Sequence, residues 1–177
     1  MSHIILIGPP GCGKGTISHY ITKNNSRIHH LSTGEILRTQ NDKEIHDSLK
    51  KGLFVSDECI TRLVLNRIKE SSHILLLDGY PRTLSQASNF GTKHVSLVIV
   101  FKADDDTCIR RIQGRKDQRE DDKNIDVIRK RIQTYHEMTE QVIEYYEKKG
   151  LVEYVEAGDE AEKVYERVKE VLNKRIY

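Results

Sequence analysis

Short apolar runs alternate with amphipathic segments along the whole chain. Apolar runs cover residues 4–7, 74–77, 95–101 and 151–155, and residues 29–31 are interpreted as a further strand. The run at residues 74–77 shows no alternation of polar and apolar side chains, which is typical of a strand buried on both faces.

The segments between these strands carry apolar residues at the spacing of one helix face. Ser32 followed three residues later by Glu35 is the capping-box pattern of a helix start. A stripe that includes Ile128, Ile132 and Tyr145 predicts one long helix, which Gly150 ends. Other helices are predicted to begin near residues 16, 42, 56, 84, 104 and 161; the one from residue 42 is polar and runs to residue 51, and the one from residue 104 ends in Arg110, Arg111 and Arg115 before a polar loop at residues 116–123.

Alternating strands and helices predict βαβ units. We therefore expect an α/β fold of three α/β/α layers around a parallel five-stranded sheet. Without an internal repeat or linker, residues 1–177 are predicted to form one domain. The longest unbroken apolar run covers residues 97–101, far short of the roughly 20 residues of a membrane span, so no membrane association is expected.

Charge and cysteine content narrow the class of protein. In 177 residues, 29 Lys and Arg nearly balance 27 Asp and Glu, and no basic stripe or aromatic platform predicts a nucleic-acid partner. The three cysteines are widely spaced, which suits neither a disulfide framework nor a zinc site. Together with the lack of a secretory leader, they predict a cytoplasmic protein without zinc.

The strongest chemical signal is GPPGCGKGT at residues 8–16, between a predicted strand and a predicted helix. This is the context of a phosphate-binding P-loop. Its glycines let several N–H groups point at one anion, the helix adds its positive dipole end, and the lysine supplies charge. The residues predicted to hold nucleotide phosphates are Gly11, Cys12, Gly13, Lys14, Gly15 and Thr16.

The loop departs from the general P-loop pattern directly after its lysine. A Ser or Thr normally holds Mg²⁺ at that place, but here Gly15 occupies it and Thr16 follows. We therefore expect Mg²⁺ to keep most of its waters. Asp78 ends a hydrophobic strand and is predicted to steady the ion through water.

Several arginines accompany the loop: Arg82, Arg111, Arg115, Arg119 and Arg131. Any one of them could equally lie on a solvated helix face. A phosphoryl group in transfer spreads charge over its oxygens, and the planar fork of arginine binds phosphate at two points. The combination with the loop and Asp78 therefore favours phosphoryl transfer.

Five segments together resemble the adenylate kinase family, in the family's order and over nearly the whole chain. They are GPPGCGKGT, LSTGEILR from Leu31, GLFVSDE from Gly52, LLLDGYPRT from Leu75 and the RKRI–YHEMTE stretch from Arg129. The resemblance implies transfer of the ATP γ-phosphate to AMP, giving two ADP, with Mg²⁺ and in a monomer. It also implies a CORE of residues 1–31, 63–114 and 124–177, an AMP-binding flap at 32–62 and a LID at 115–123.

The resemblance assigns roles to individual residues. Arg111 and Arg115 would join the loop residues in binding ATP, with Arg111 packed against the base. The residues implied to act on the moving phosphoryl group are Lys14, Arg82, Arg115, Arg119 and Arg131. Those implied to hold AMP are Thr33, Gly34, Arg38, Leu53, Val55, Gly79, Arg82 and Gln86, with the two arginines on its phosphate and Thr33 and Gln86 on its adenine.

Two alternatives to this function stay open. The related UMP/CMP kinases typically have alanine in place of the threonine of LSTG, so Thr33 and Gln86 favour AMP as the acceptor. A non-catalytic nucleotide sensor is the other alternative, because only residues 116–118 separate Arg115 from Arg119 and make the LID unusually short.

Overall fold

The computed structural model describes residues 2–39, 47, 51, 55–116 and 118–176. Leu53 and most of the polar helix predicted over residues 42–51 lie outside these ranges. Within the ranges, no helix is both long and apolar enough to cross a membrane.

The described strands form one parallel sheet of five strands, in the order β2-β3-β1-β4-β5. This confirms the predicted fold class, and each strand lies within one or two residues of its predicted position. The strands are β1 (His3–Ile7), β2 (Ile28–Ser32), β3 (Ile74–Asp78), β4 (Val95–Lys102) and β5 (Val152–Glu156).

Helices cover both faces of the sheet. Because successive residues of a strand point to opposite faces, one strand contributes side chains to the hydrophobic clusters on both sides. Ile4 and Leu6 of β1 pack into one hydrophobic cluster, and Ile5 and Ile7 pack into the other. The first cluster includes residues of α1 (Lys14–Asn24), α5 (Asp105–Gln113), α6 (Ile125–Thr134) and α8 (Ala161–Arg175), and the second includes residues of α2 (Thr33–Thr39), α3 (Asp57–Glu70), α4 (Leu84–Phe90) and α7 (Glu140–Glu147).

Two local predictions differ from the structure. The helix α5 ends at Gln113 and is capped by Gly114, so Arg115 lies beyond the helix instead of in its last turn. The long helix predicted up to Gly150 ends at Glu147, and a π-helical turn at Tyr135–Thr139 separates α6 from α7. Such turns are frequent at functional sites, and Tyr135 and Thr139 both line the cavity described below.

The three cysteines have different environments. Cys12 and Cys108 are almost completely buried in the cluster that contains α1 and α5, whereas Cys59 on α3 is partly exposed. Burial, with a smaller contribution from the neighbouring Cys12, raises the pKa of the Cys108 thiol to about 12.

Candidate functional site

A cavity of about 800 Å³ opens at the carboxyl ends of β1, β2, β3 and β5. Ligands of parallel α/β sheets bind at this edge, and the volume suits a small-molecule ligand. Most of the predicted site residues line it: Gly11, Cys12, Gly13, Lys14, Gly15, Thr16, Gly34, Arg38, Asp78, Gly79, Arg82, Arg111, Arg115, Arg119 and Arg131.

Four of the predicted AMP residues are not among those that line the cavity. Leu53 lies outside the described residues, and Thr33, Val55 and Gln86 are buried beside the cavity elements. The Thr33 hydroxyl donates to the backbone oxygen of Asp78 at 3.2 Å. The roles of these four residues stay predictions.

The glycine-rich loop needs glycine at two positions in particular. Gly11 and Gly13 have φ angles of 87° and 103°, in the left-handed region that favours glycine. A Cβ on Gly11 would also lie 2.4 Å from the backbone oxygen of Cys108. No described atom lies within 4 Å of a Cβ built on Gly13 or Gly15, so the loop is free of neighbouring atoms at these two positions.

Lys14 begins α1 and folds back over the loop. Its Nζ donates to the backbone oxygens of Gly8 at 2.7 Å and Pro9 at 3.1 Å, and lies 3.6 Å from the Cys12 sulfur. These contacts hold the ammonium group at the cavity, where its charge also acts on Asp78.

Asp78 ends β3 in the cavity wall, beside His30 of β2. His30 Nε2 lies 3.3 Å from Asp78 Oδ2. Burial opposes ionisation of Asp78, but the His30 hydrogen bond and the charges of Lys14 and Arg82 outweigh it and lower the pKa of the carboxyl group. Over the described ranges, no three His, Cys, Asp or Glu side chains are grouped so as to bind a metal ion.

The arginines of the cavity form one cationic cluster. Burial lowers the pKa of Arg82 to about 10; Asp78 opposes this shift, and the charges of Arg131, Arg38 and Arg119 add to it. Burial also lowers the pKa of Arg38, with Arg119 as the next contribution. Cations held close enough to disfavour one another's charge create a strong field for a multiply charged anion.

Two acidic residues of the 3₁₀ turn Glu120–Asp122 hold the arginines in place. The side chain of Asp122 is fully buried and accepts hydrogen bonds from Arg115 and Arg131, each at 2.8 Å. Arg131 also lies 2.9 Å from Asp121. Burial opposes ionisation of Asp122, but the two arginines outweigh it and lower its pKa.

Arg111 joins the glycine-rich loop to the segment that follows β5. Its guanidinium donates to the backbone oxygens of Cys12 at 3.2 Å, Ala157 at 2.7 Å, Gly158 at 3.0 Å and Asp159 at 2.7 Å. The stacking role predicted for Arg111 stays a prediction, but these bonds fix the plane of its guanidinium at the cavity wall.

Sequence reasoning missed several residues of the cavity wall. They are His30, Asp121, Tyr135, Thr139 and the segment at residues 157–161. That segment could have been found, because it directly follows the last predicted strand and ligands bind where parallel strands end. The Thr139 hydroxyl donates to the backbone oxygen of Arg82 at 3.0 Å, which ties the π-helical turn to the arginine cluster.

His136 on the π-helical turn is expected to make stability depend on pH. Its ring nitrogens lie 2.8 Å from Glu140 and 3.0 Å from Asp105, and these hydrogen bonds raise its pKa above 6.5. A raised pKa stabilises the fold fully below the unfolded value, and this contribution is lost as pH rises through the folded value. The site is partly exposed, so we expect less than about 1 kcal/mol.

Urea unfolding between about pH 5.5 and pH 8.5 measures this contribution. The difference in unfolding free energy between the wild type and His136→Gln should shrink toward the alkaline end. The same substitution at the exposed His19 of α1 serves as the control. A difference that stays constant over this range would contradict the prediction.

The comparisons with known proteins all identify the same family. The adenylate kinase family model matches residues 6–151. The chain is 36% identical over 184 residues to an adenylate kinase of Prochlorococcus marinus (strain MIT 9515), covering 96% of this chain and 98% of the relative. It is 41% identical over 155 residues to an adenylate kinase of Encephalitozoon cuniculi (strain GB-M1), covering 84% and 85%. A Synechococcus adenylate kinase (strain CC9902) is 36% identical over 185 residues, covering 97% and 99%.

Proposed function

Since this chain belongs to the adenylate kinase family and transfers the γ-phosphate of ATP to AMP, giving two ADP, we propose that Lys14 and the arginine cluster perform the transfer. The observation that supports this assignment is the convergence of seven lysine and arginine side chains on one cavity beside the phosphate loop. They are Lys14, Arg38, Arg82, Arg111, Arg115, Arg119 and Arg131.

ATP is the ligand of the glycine-rich loop in this proposal. Backbone N–H groups of residues 11–16 and the amino end of α1 bind its phosphates, and Lys14 follows the γ-phosphate. Its base packs against the guanidinium plane of Arg111, which the backbone oxygens of Cys12, Ala157, Gly158 and Asp159 already fix.

AMP binds on the side of β2 and β3. Arg38 and Arg82 hold its phosphate, and the hydrogen bond from Arg82 Nε to the backbone oxygen of Gly79 at 2.9 Å orients its guanidinium before the substrate arrives. Thr33 and Gln86 meet the adenine. The remaining residues proposed to surround AMP are Gly34, Leu53, Val55 and Gly79.

The reaction needs charge and position more than proton transfer. An anionic oxygen of AMP attacks the γ-phosphorus of ATP, and the bond from that phosphorus to the β–γ bridging oxygen breaks, so ADP leaves and AMP becomes ADP. No general base is required, because the attacking oxygen carries no proton to be removed. Arg115, Arg119 and Arg131 neutralise the charge that spreads over the transferring group.

Adenylate kinases generally use Mg²⁺ with ATP, and we propose that Asp78 holds this ion through water. Its lowered pKa keeps the carboxylate ionised in the cavity wall, which fits an outer-sphere partner for a hydrated cation. Bound Mg²⁺ would neutralise part of the phosphate charge. The glycine at position 15 is consistent with an ion that keeps most of its waters.

The proposed domain organisation follows the family. The CORE comprises residues 1–31, 63–114 and 124–177, the flap residues 32–62 and the LID residues 115–123. We further propose a cytoplasmic monomer that works without zinc, nucleic acid or a membrane.

A panel of phosphate acceptors tests the proposed site. ADP formation from ATP and Mg²⁺ is measured with AMP, CMP, UMP or GMP, beside Arg82→Ala. We expect turnover to be highest with AMP and to fall at least about 100-fold in the variant. Comparable turnover with CMP or UMP would overturn the adenine roles of Thr33 and Gln86, and an unimpaired variant would overturn that of Arg82.

A further inference from the structure

Gln86, at the start of α4, is held in one amide orientation by two short hydrogen bonds. Its Oε1 accepts from the backbone N–H of Arg82 at 2.7 Å, and its Nε2 donates to Asp57 Oδ1 at 2.7 Å. A backbone N–H can only donate and a carboxylate can only accept, so neither partner tolerates the opposite orientation. The side chain is completely buried, which makes an unmatched polar pair costly.

Asp57 is itself fixed beside Gln86. Its second oxygen accepts from the Thr83 hydroxyl at 2.6 Å, and Thr83 Oγ1 accepts from the backbone N–H of Gln86 at 3.2 Å. One turn further along α3, the hydroxyl of Tyr80 donates to Thr61 Oγ1 at 3.2 Å. These bonds tie the first turns of α3 to residues 80–86 and hold Asp57 beside Gln86.

The fixed orientation leaves one hydrogen-bond donor and one hydrogen-bond acceptor of the Gln86 amide without a partner among these bonds. A side-chain amide has two N–H donors and two acceptor lone pairs. Bonds between described residues use one of each, so one donor and one acceptor of Gln86 are left over. Because the side chain is completely buried and does not line the cavity, AMP contacts this pair only after neighbouring side chains move. Adenine presents its N6 amino group as a donor next to a ring nitrogen that accepts, and this pair matches an amide of fixed orientation.

We propose that Asp57 is a positioning residue that makes the acceptor site selective for a 6-amino purine over a 6-oxo purine. Hypoxanthine and guanine present an acceptor at position 6 and a donor at N1, which would require Gln86 to flip. A flip would bring Gln86 Oε1 against the Asp57 carboxylate and Nε2 against the Arg82 N–H. The inference rests on the proposed contact between Gln86 and the adenine of AMP.

IMP is the sharpest probe, because it differs from AMP only at position 6 and N1 of the base. In Asp57→Asn the new amide can donate as well as accept, so it removes one of the two clashes that oppose a flip of Gln86, and the clash with the Arg82 N–H remains. We expect the ratio of kcat/KM for AMP to kcat/KM for IMP to fall by about tenfold. Asp57→Ser also removes the carboxylate that can only accept, and it is measured in parallel. It supplies the ratio if Asp57→Asn does not fold.

Glu58→Gln is the matched control, because it removes the neighbouring exposed carboxylate in the same helical turn. This control should keep the wild-type ratio. A merely structural role of Asp57 would lower kcat/KM for the two acceptors equally, and that result would overturn the proposal.

Gln86→Ala distinguishes a failure of this inference from a failure of the proposed contact between Gln86 and the adenine of AMP. If Gln86→Ala lowers the ratio and the Asp57 variants do not, Gln86 reads the base but Asp57 does not set its orientation. If Gln86→Ala leaves the ratio unchanged, the proposed adenine contact itself is wrong, and the inference fails with it.

Discussion

Replacing Lys14 by methionine is expected to lower kcat by a factor on the order of 10³, because the side chain keeps most of its length and loses its charge. The ammonium group lies at the phosphate loop, 2.7 Å from the backbone oxygen of Gly8. In the proposed mechanism, its attraction to the γ-phosphate grows as charge moves during transfer. We therefore expect a smaller change in KM for ATP than in kcat.

Steady-state kinetics with saturating AMP measure this effect. Lys23→Met is the matched control, because Lys23 is exposed in the last turn of the same helix and should be replaceable without loss. A kcat for Lys14→Met within about tenfold of the wild type would contradict the catalytic role of Lys14.

Asp122→Ala is expected to lower both stability and activity. The change leaves Arg115 and Arg131 without the buried carboxylate that binds them at 2.8 Å. Breaking a buried ion pair costs about 3–5 kcal/mol, and the partial exposure of Arg115 reduces this to about 2–3 kcal/mol. We also expect kcat to fall at least about tenfold, because both arginines lose their fixed position.

Chemical unfolding and acceptor kinetics measure these two losses, and pH adds a further test. The lowered pKa of Asp122 means that its contribution is present above the unfolded value of 3.8 and is lost as pH falls through the folded value. The stability difference between wild type and variant should therefore shrink below about pH 4. Asp126→Ala, an exposed carboxylate at the start of α6, is the control. Equal losses in both variants would contradict the buried pairing.

The fold was predictable because its three central strands, β1, β3 and β4, are buried on both faces. Contiguous apolar runs such as residues 74–77 separate clearly from the amphipathic helices, and the glycine-rich loop marks the edge where ligands bind. The arginines could be predicted as a group once the loop and Asp78 were recognised. The residues that hold the arginines in place could not be predicted, because an acidic residue in a polar loop, such as Asp122, has the sequence pattern of a solvent-exposed residue.

Other features depend on tertiary contacts that leave no local signal. The π-helical turn at Tyr135–Thr139 inserts into a continuous apolar stripe, and its bond from Thr139 to the Arg82 backbone joins positions far apart in the chain. No sequence pattern marked His30, but the parallel register places β2 beside β3 and brings the His30 ring to Asp78. The pairing of Asp57 with Gln86 likewise appears only when α3 packs against α4.

The unequal burial of the three thiols makes the native protein suitable for site-specific fluorescent labelling. Cys12 and Cys108 are buried, and at neutral pH the raised pKa of Cys108 keeps it as the unreactive thiol form. A maleimide dye should therefore attach first at Cys59, which is partly exposed on α3 within the proposed flap. A single dye at this position would report by its emission how the flap responds to AMP, without any engineered cysteine.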